Sequence, residues 1–159
     1  MSQLAMQEKK QQKQVDSLFV QLVDHTWLLP MSSVAEVVQH ITCEPEASTA
    51  TWLYGWMEWR HQRVPLILFE GLAQGYRQRD PDVSLALVMN TLNPAADFPF
   101  YAILIQDYPQ LVRISDDDLL QEVAGTPGVP YAIMRVGLDE REVLIPDLES
   151  LEKYFLENL

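Results

Sequence analysis

From Ser17 onward the chain is written in short apolar runs separated by polar turns, with the β-branched and aromatic content of strands. Residues 19–23 (Phe-Val-Gln-Leu-Val) and 26–29 (Thr-Trp-Leu-Leu) flank Asp24-His25, a spacing that predicts a hairpin ended by Pro30. Residues 34–38 predict a third strand and 42–51 a loop around Pro45. Trp52, Trp56 and Trp59 have helical spacing, but Gly55 interrupts it, so a short helical turn running into a strand near Trp56 is expected. Residues 63–69 predict a strand whose Pro65, lacking an N–H, belongs at an edge or a bulge. The polar stretch 74–81 marks a boundary near the middle. Beyond it, residues 83–91, 100–105 and 108–114 predict strands, and Ser115 with Asp118 has the capping-box spacing of a short helix. Residues 125–130 form a loop, 131–136 and 142–145 a last hairpin, and 148–157 a final helix capped by Asp147. Its apolar positions Leu148, Leu151, Tyr154 and Phe155 lie on one stripe.

Residues 64–72 can be laid over 143–151 at an offset of 79: a polar turn with arginine, an apolar strand, an acid, then a leucine. Many short strands in two similar halves favour a pair of small barrels over one sandwich. Residues 1–16, polar and rich in Gln and Lys, carry no apolar stripe and read as a flexible arm.

The net charge of −12 falls mostly on the second half: residues 80–159 carry 15 acids and 4 bases, residues 1–79 carry 8 and 7. No basic face exists for nucleic acid, and anionic lipid would be repelled. Most of this acidity serves solubility; a protein partner with a basic patch is the alternative use. The apolar runs are too short for a membrane span, residues 1–14 hold no signal-peptide core, and Cys43 is the sole cysteine. A cytoplasmic protein without membrane insertion is expected.

Residues 19–36 read F-V-Q-L-V-D-H-T-W-L-L-P-M-S-S-V-A-E and resemble the opening of CheW-like domains: strand, turn, aliphatic strand ending in proline, then a valine and a glutamate two places on. Residues 52–69, W-L-Y-G-W-M-E-W-R-H-Q-R-V-P-L-I-L-F, are similar to the central signature of that family, an aromatic, a glycine, a strand, an arginine and a Val-Pro strand. Residues 98–118 and 143–151 resemble its second hairpin and its closing strand and helix. The resemblance spans residues 18–157. It implies a mainly β fold of two packed five-stranded SH3-like barrels with a C-terminal helix, the first over about 17–80, the second over about 81–159, with strands open to exchange between them. It implies no enzyme activity, no catalytic residue and no cofactor. Its implied role is an adaptor that couples a methyl-accepting chemotaxis receptor to a CheA-type histidine kinase. Two departures stand out: His61 where the family usually has glycine, and Leu68 where it usually has aspartate. With the acidic charge and the Gln/Lys arm, they point toward the accessory CheW-like proteins of type IV pilus (twitching-motility) systems.

The partner-binding candidates are Arg60, whose guanidinium can grip a carboxylate in bidentate fashion, Glu36, and the apolar Val34 and Val37. Each also has a structural reading: an internal salt bridge for Arg60, a solvated strand position for Glu36, core for the valines. Gly55 is expected to meet a backbone requirement at a turn. One or two of the four tryptophans should be partly exposed. His25, His40, His61 and Cys43 lack the spacing of a metal site. Asp116, Asp117 and Asp118 read as helix-capping acids before an acid–base site. The rival to the adaptor is a small-molecule-sensing barrel whose mouth is lined by Trp52, Tyr54 and Trp56.

Overall fold

The computed structural model describes residues 14–45, 50–73, 82–93, 98–115, 121–122, 130–138 and 140–159. The chain is mainly β. In order the elements are β1 (Gln14–Gln21), β2 (Thr26–Pro30), a 3-10 turn (Met31–Ser33), β3 (Val34–Gln39), β4 (Cys43–Pro45), β5 (Leu53–Trp59), β6 (Gln62–Ile67), α1 (Phe69–Ala73), β7 (Leu85–Asn90), β8 (Phe100–Ile105), β9 (Gln110–Ser115), β10 (Gln121–Glu122), β11 (Ala132–Leu138), β12 (Arg141–Pro146) and α2 (Leu148–Asn158). They make two six-stranded sheets, β10-β11-β12-β2-β1-β9 and β3-β7-β8-β6-β5-β4. Six strands stand in each sheet where five per barrel were expected.

The central strands are continuous apolar runs because both of their faces are buried. In β7 and β8, Leu85, Leu87, Met89, Tyr101, Ile103 and Ile105 point into a core shared by the two sheets. The alternate residues Ala86, Val88, Ala102 and Leu104 point into a second core, with Met57, Trp59, Val64, Leu66 and Leu68. This is the period-2 alternation of a strand read out on two apolar environments. Leu18 and Val20 of β1 face the shared core, and Phe19 between them faces a third core with Leu28, Val136 and Val143. Each sheet therefore wraps a small core of its own and shares a larger one with the other. Ala35 and Val38 from β3 and Cys43 from β4, opposite ends of one sheet, rest on the same core, so that sheet is curled although among the described residues no ladder closes it.

The repeat extends upstream of the segment seen in the sequence, to β5 and β11. β5 and β11, β6 and β12, and the starts of α1 and α2 are each separated by 79 residues. β1–β6 and β7–β12 are two copies of one arrangement, and each places its first hairpin in the other's sheet. β1 pairs with β9, β2 runs parallel to β12, β7 pairs with β3, and β8 runs parallel to β6. The strands exchanged between the repeats are β1 and β2 in one direction and β7 and β8 in the other.

Several local expectations need correction. Trp52 is followed directly by strand, Leu53–Trp59, with no helical turn. Pairing with β6 buries alternate residues of β5, and that outweighs the spacing of the tryptophans. Pro65 lies in an interior strand, opposite Trp56; ladder partners on the β8 side are Leu66 and Ile67, so no N–H is needed from Pro65 there. Residues 43–45, expected as loop, form edge strand β4. The arm expected over 1–16 yields its last three residues to β1, where Gln14, Val15 and Asp16 pair with Ser115, Ile114 and Arg113. Ser115 ends a strand; the helix expected after it, with Asp116, Asp117 and Asp118, lies outside the described residues, as do residues 1–13. The final helix is as expected: Asp147 accepts a hydrogen bond from the Ser150 N–H at 3.2 Å, and Leu151 and Phe155 are buried in the shared core.

Candidate functional site

Curling brings together three of the residues singled out in the sequence region 34–60. Glu36 is on β3, one end of its sheet, and Arg60 follows β5 near the other. The buried indole of Trp59, packed edge-on against Phe100 at 4.7 Å, donates its Nε1–H to Glu36 Oε2. Arg60 Nε lies 3.8 Å from the same oxygen, and its guanidinium sits 4.6 Å over the Trp59 ring. Arg60 and Glu36 remain 65% and 43% exposed, so their ion pair fixes orientation more than it adds stability. The result is a carboxylate and a guanidinium displayed at the surface on a rigid aromatic base.

Arg60 and His61 are the two-residue loop of the β5–β6 hairpin, closed by the Trp59–Gln62 pair. Their φ values are 48° and 60°, the positive pair that a type I′ loop needs. The loop borders an open cleft of about 740 Å³ lined by His40, Glu44, Trp56, Arg60, His61 and Arg63, among others. There Arg63 repeats the Arg60 arrangement, 4.7 Å over the Trp56 ring and 3.4 Å from Glu44.

Val34 and Val37 are half-buried and pack on the shared core, so they are partly framework. Gly55 sits within strand β5, not at a turn. A Cβ there would lie 2.2 Å from the Glu44 carbonyl oxygen and 2.5 Å from Cys43 Sγ, so the glycine is required by the close approach of β4. Trp27, Trp52 and Trp59 are buried and Trp56 alone of the four is half-buried. The three residues expected to line one aromatic mouth do not share a side: Trp52 and Trp56 pack on the shared core, while Tyr54 packs on the second core. His40 and His61 reach the same cleft, yet among the described residues no three metal-ligating side chains come together. Burial pushes the Cys43 thiol up from its ordinary pKa.

Sequence reasoning missed two buried carboxylates. Glu70 on α1 accepts the Asp24 N–H at 2.9 Å and stands 3.5 Å from His25 Nδ1. Glu152 on α2 accepts the Leu92 and Asn93 N–H groups at 2.8 and 3.0 Å. Each helix acid thereby holds the turn after the first strand of its own repeat. The signal available was an acid set among apolar neighbours, Leu68-Phe69-Glu70 and Leu151-Glu152.

A family model described as CheW-like domain matches residues 16–154. Among solved structures, the crystal structure of scaffolding protein TtCheW from Thermoanaerobacter tengcongensis superposes with a TM-score of 0.68 at 12% sequence identity, covering 86% of each chain. At that identity the likeness is one of fold. No curated protein sequence matches the chain.

Proposed function

The chain belongs to the CheW-like domain family, and from that premise we propose that it is a non-catalytic adaptor of chemosensory signalling in the cytoplasm, holding a methyl-accepting chemotaxis receptor and a CheA-type histidine kinase in fixed relation. The observation that carries this reading is the Glu36–Trp59–Arg60 group: two exposed charges of opposite sign, pre-oriented by a buried indole on strands of one curled sheet. Pre-orientation lowers the ordering cost of docking, and a charge-assisted contact to a partner replaces a weak surface pair. Val34 and Val37 stand on the same strand, half-buried on the side of the shared core, and would add apolar contact there. Binding at two faces of one rigid body transmits a receptor's state to the kinase as a coupling free energy, typically ~1–3 kcal/mol. Residues Gly55 and Trp59 serve as framework. The departures at His61 and Leu68 favour an accessory role in a type IV pilus system, in which deletion impairs twitching and leaves swimming intact.

Arg60→Glu and Glu36→Arg are each expected to abolish co-purification with a CheA-type kinase or a receptor tip; Arg60→Glu should move stability by no more than about 1 kcal/mol, and Glu36→Arg, which also takes the acceptor from the buried Trp59 indole N–H, by about 1–3 kcal/mol. The double variant E36R/R60E rebuilds an ion pair of reversed polarity. It should fold normally and still fail to bind. Binding that survives both single reversals sinks the placement of the interface. Binding recovered in the double variant assigns the two charges to internal architecture alone.

A further inference from the structure

We propose that two copies of this chain form a dimer by exchanging repeats, the first repeat of each copy building its sheets with the second repeat of the other. The inference comes from the strand order and holds whatever the adaptor binds. Within the six-stranded orders, the junctions between repeats are β1–β9 and β2–β12 in one sheet and β3–β7 and β6–β8 in the other. The remaining neighbours, such as β1–β2, β5–β6, β7–β8 and β11–β12, lie within a repeat.

Each repeat also keeps hold of its own projecting hairpin. Glu70 grips the β1–β2 turn at the Asp24 N–H, and Glu152 grips the segment after β7 at the Leu92 and Asn93 N–H groups. A repeat is therefore a body with an arm, and what it lacks is a second body with the complementary arm. The other half of the same chain supplies one, and a second copy supplies an identical one. All four junctions and the shared core, to which Leu18, Val20 and Trp27 contribute from one repeat and Leu85, Ile103 and Leu144 from the other, are satisfied equally in both arrangements. No new surface has to be complementary. Residues 74–81 are the covalent link between the described parts of the two repeats, so protein concentration during folding decides between the closed monomer and the exchanged dimer.

The register pair Gln14–Ser115 joins β1 of the first repeat to β9 of the second, with Gln14 exposed. Full-length Q14C/C43S and S115C/C43S chains are unfolded together in guanidinium chloride and refolded at high and at low protein concentration. Products are sized by chromatography with light scattering, then treated with oxidised glutathione. A dimer fraction that grows with refolding concentration and carries a disulfide between the two different chains is expected. Mixing the same chains after each has folded should give no such bridge. The single-chain variant Q14C/S115C/C43S, which bridges within its monomer, sets the geometric control; Asp16 and Arg113, the next outward-facing register pair, serve as a second pair of cysteine positions. Monomer at every refolding concentration overturns the proposal. So does a dimer that shows no inter-chain bridge at either pair.

Discussion

At Arg60 and His61 the backbone takes two successive left-handed conformations, and neither residue is glycine. The left-handed region costs a residue with a Cβ ~1–2 kcal/mol. Glycine would avoid that cost but has more freedom to lose, ~0.5–1 kcal/mol. His61→Gly is therefore expected to raise stability by about 0.5–1 kcal/mol, seen as a higher urea midpoint with an unchanged slope. A lower midpoint would mean that the imidazole makes contacts in the cleft worth more than the strain. The departure at 61 was legible in the sequence as an altered turn, and the turn carries it. The departure at 68 was legible as lost polarity, and Leu68 is buried in the second core with its N–H bonded to the Trp52 carbonyl at 2.7 Å. What no reading of single residues could reach was the Trp59–Glu36 bond. The two are distant in sequence and meet through the curvature of a sheet, which depends on every strand between them.

The strands and the two helices answer to different signals. Strands buried on both faces appear in sequence as unbroken apolar runs, which is why β7, β8 and β6 were found close to their true places. β4 escaped because it is a short polar edge whose role is to press its backbone against Gly55. The Trp52–Trp59 segment was misread because tryptophan spacing matched a helix while burial of Leu53, Met57 and Trp59 followed the strand period. The acids on α1 and α2 illustrate how an element is fastened. Glu152 is buried and its carboxylate accepts two backbone N–H groups. Glu152→Ala should cost about 2–4 kcal/mol, from two charge-assisted bonds lost and two donors left without partners. Glu152→Gln, which keeps one acceptor oxygen, should cost roughly half as much. Glu70→Ala, with one backbone donor and His25, should fall below Glu152→Ala. Thermal or urea denaturation of the three variants checks that order, and equal losses would show that the helices are held by apolar packing alone.

The whole molecule is a single interlocked object although its chain is a tandem repeat. Its shared core draws on both repeats, and four ladders join them. Heat should therefore produce one transition, with the calorimetric and van't Hoff enthalpies in a ratio near ~1. Two resolved transitions would mean that the sheets unfold independently and that the exchanged hairpins add little. The repeat itself was visible in the sequence as a single segment at an offset of 79 that takes in the helix starts, while its extension to β5 and β11 was hidden because side chains on equivalent strands differ. Trp27 on β2 faces the shared core, as Tyr101 does on the equivalent strand β8: two different aromatics at matching places. Periodicity records which face of a strand is buried and says nothing of which sheet the strand will join, so the exchange of hairpins had to come from the structure.

That exchange bears on how such a protein can fail. Where each lobe stands alone, damage on one side leaves the opposite grip working, and evolution can retune one partnership while sparing the other. Here every lobe borrows two of its six strands from its sibling. Injury to either is felt in both, and a weakened chain loosens as one body instead of one side at a time.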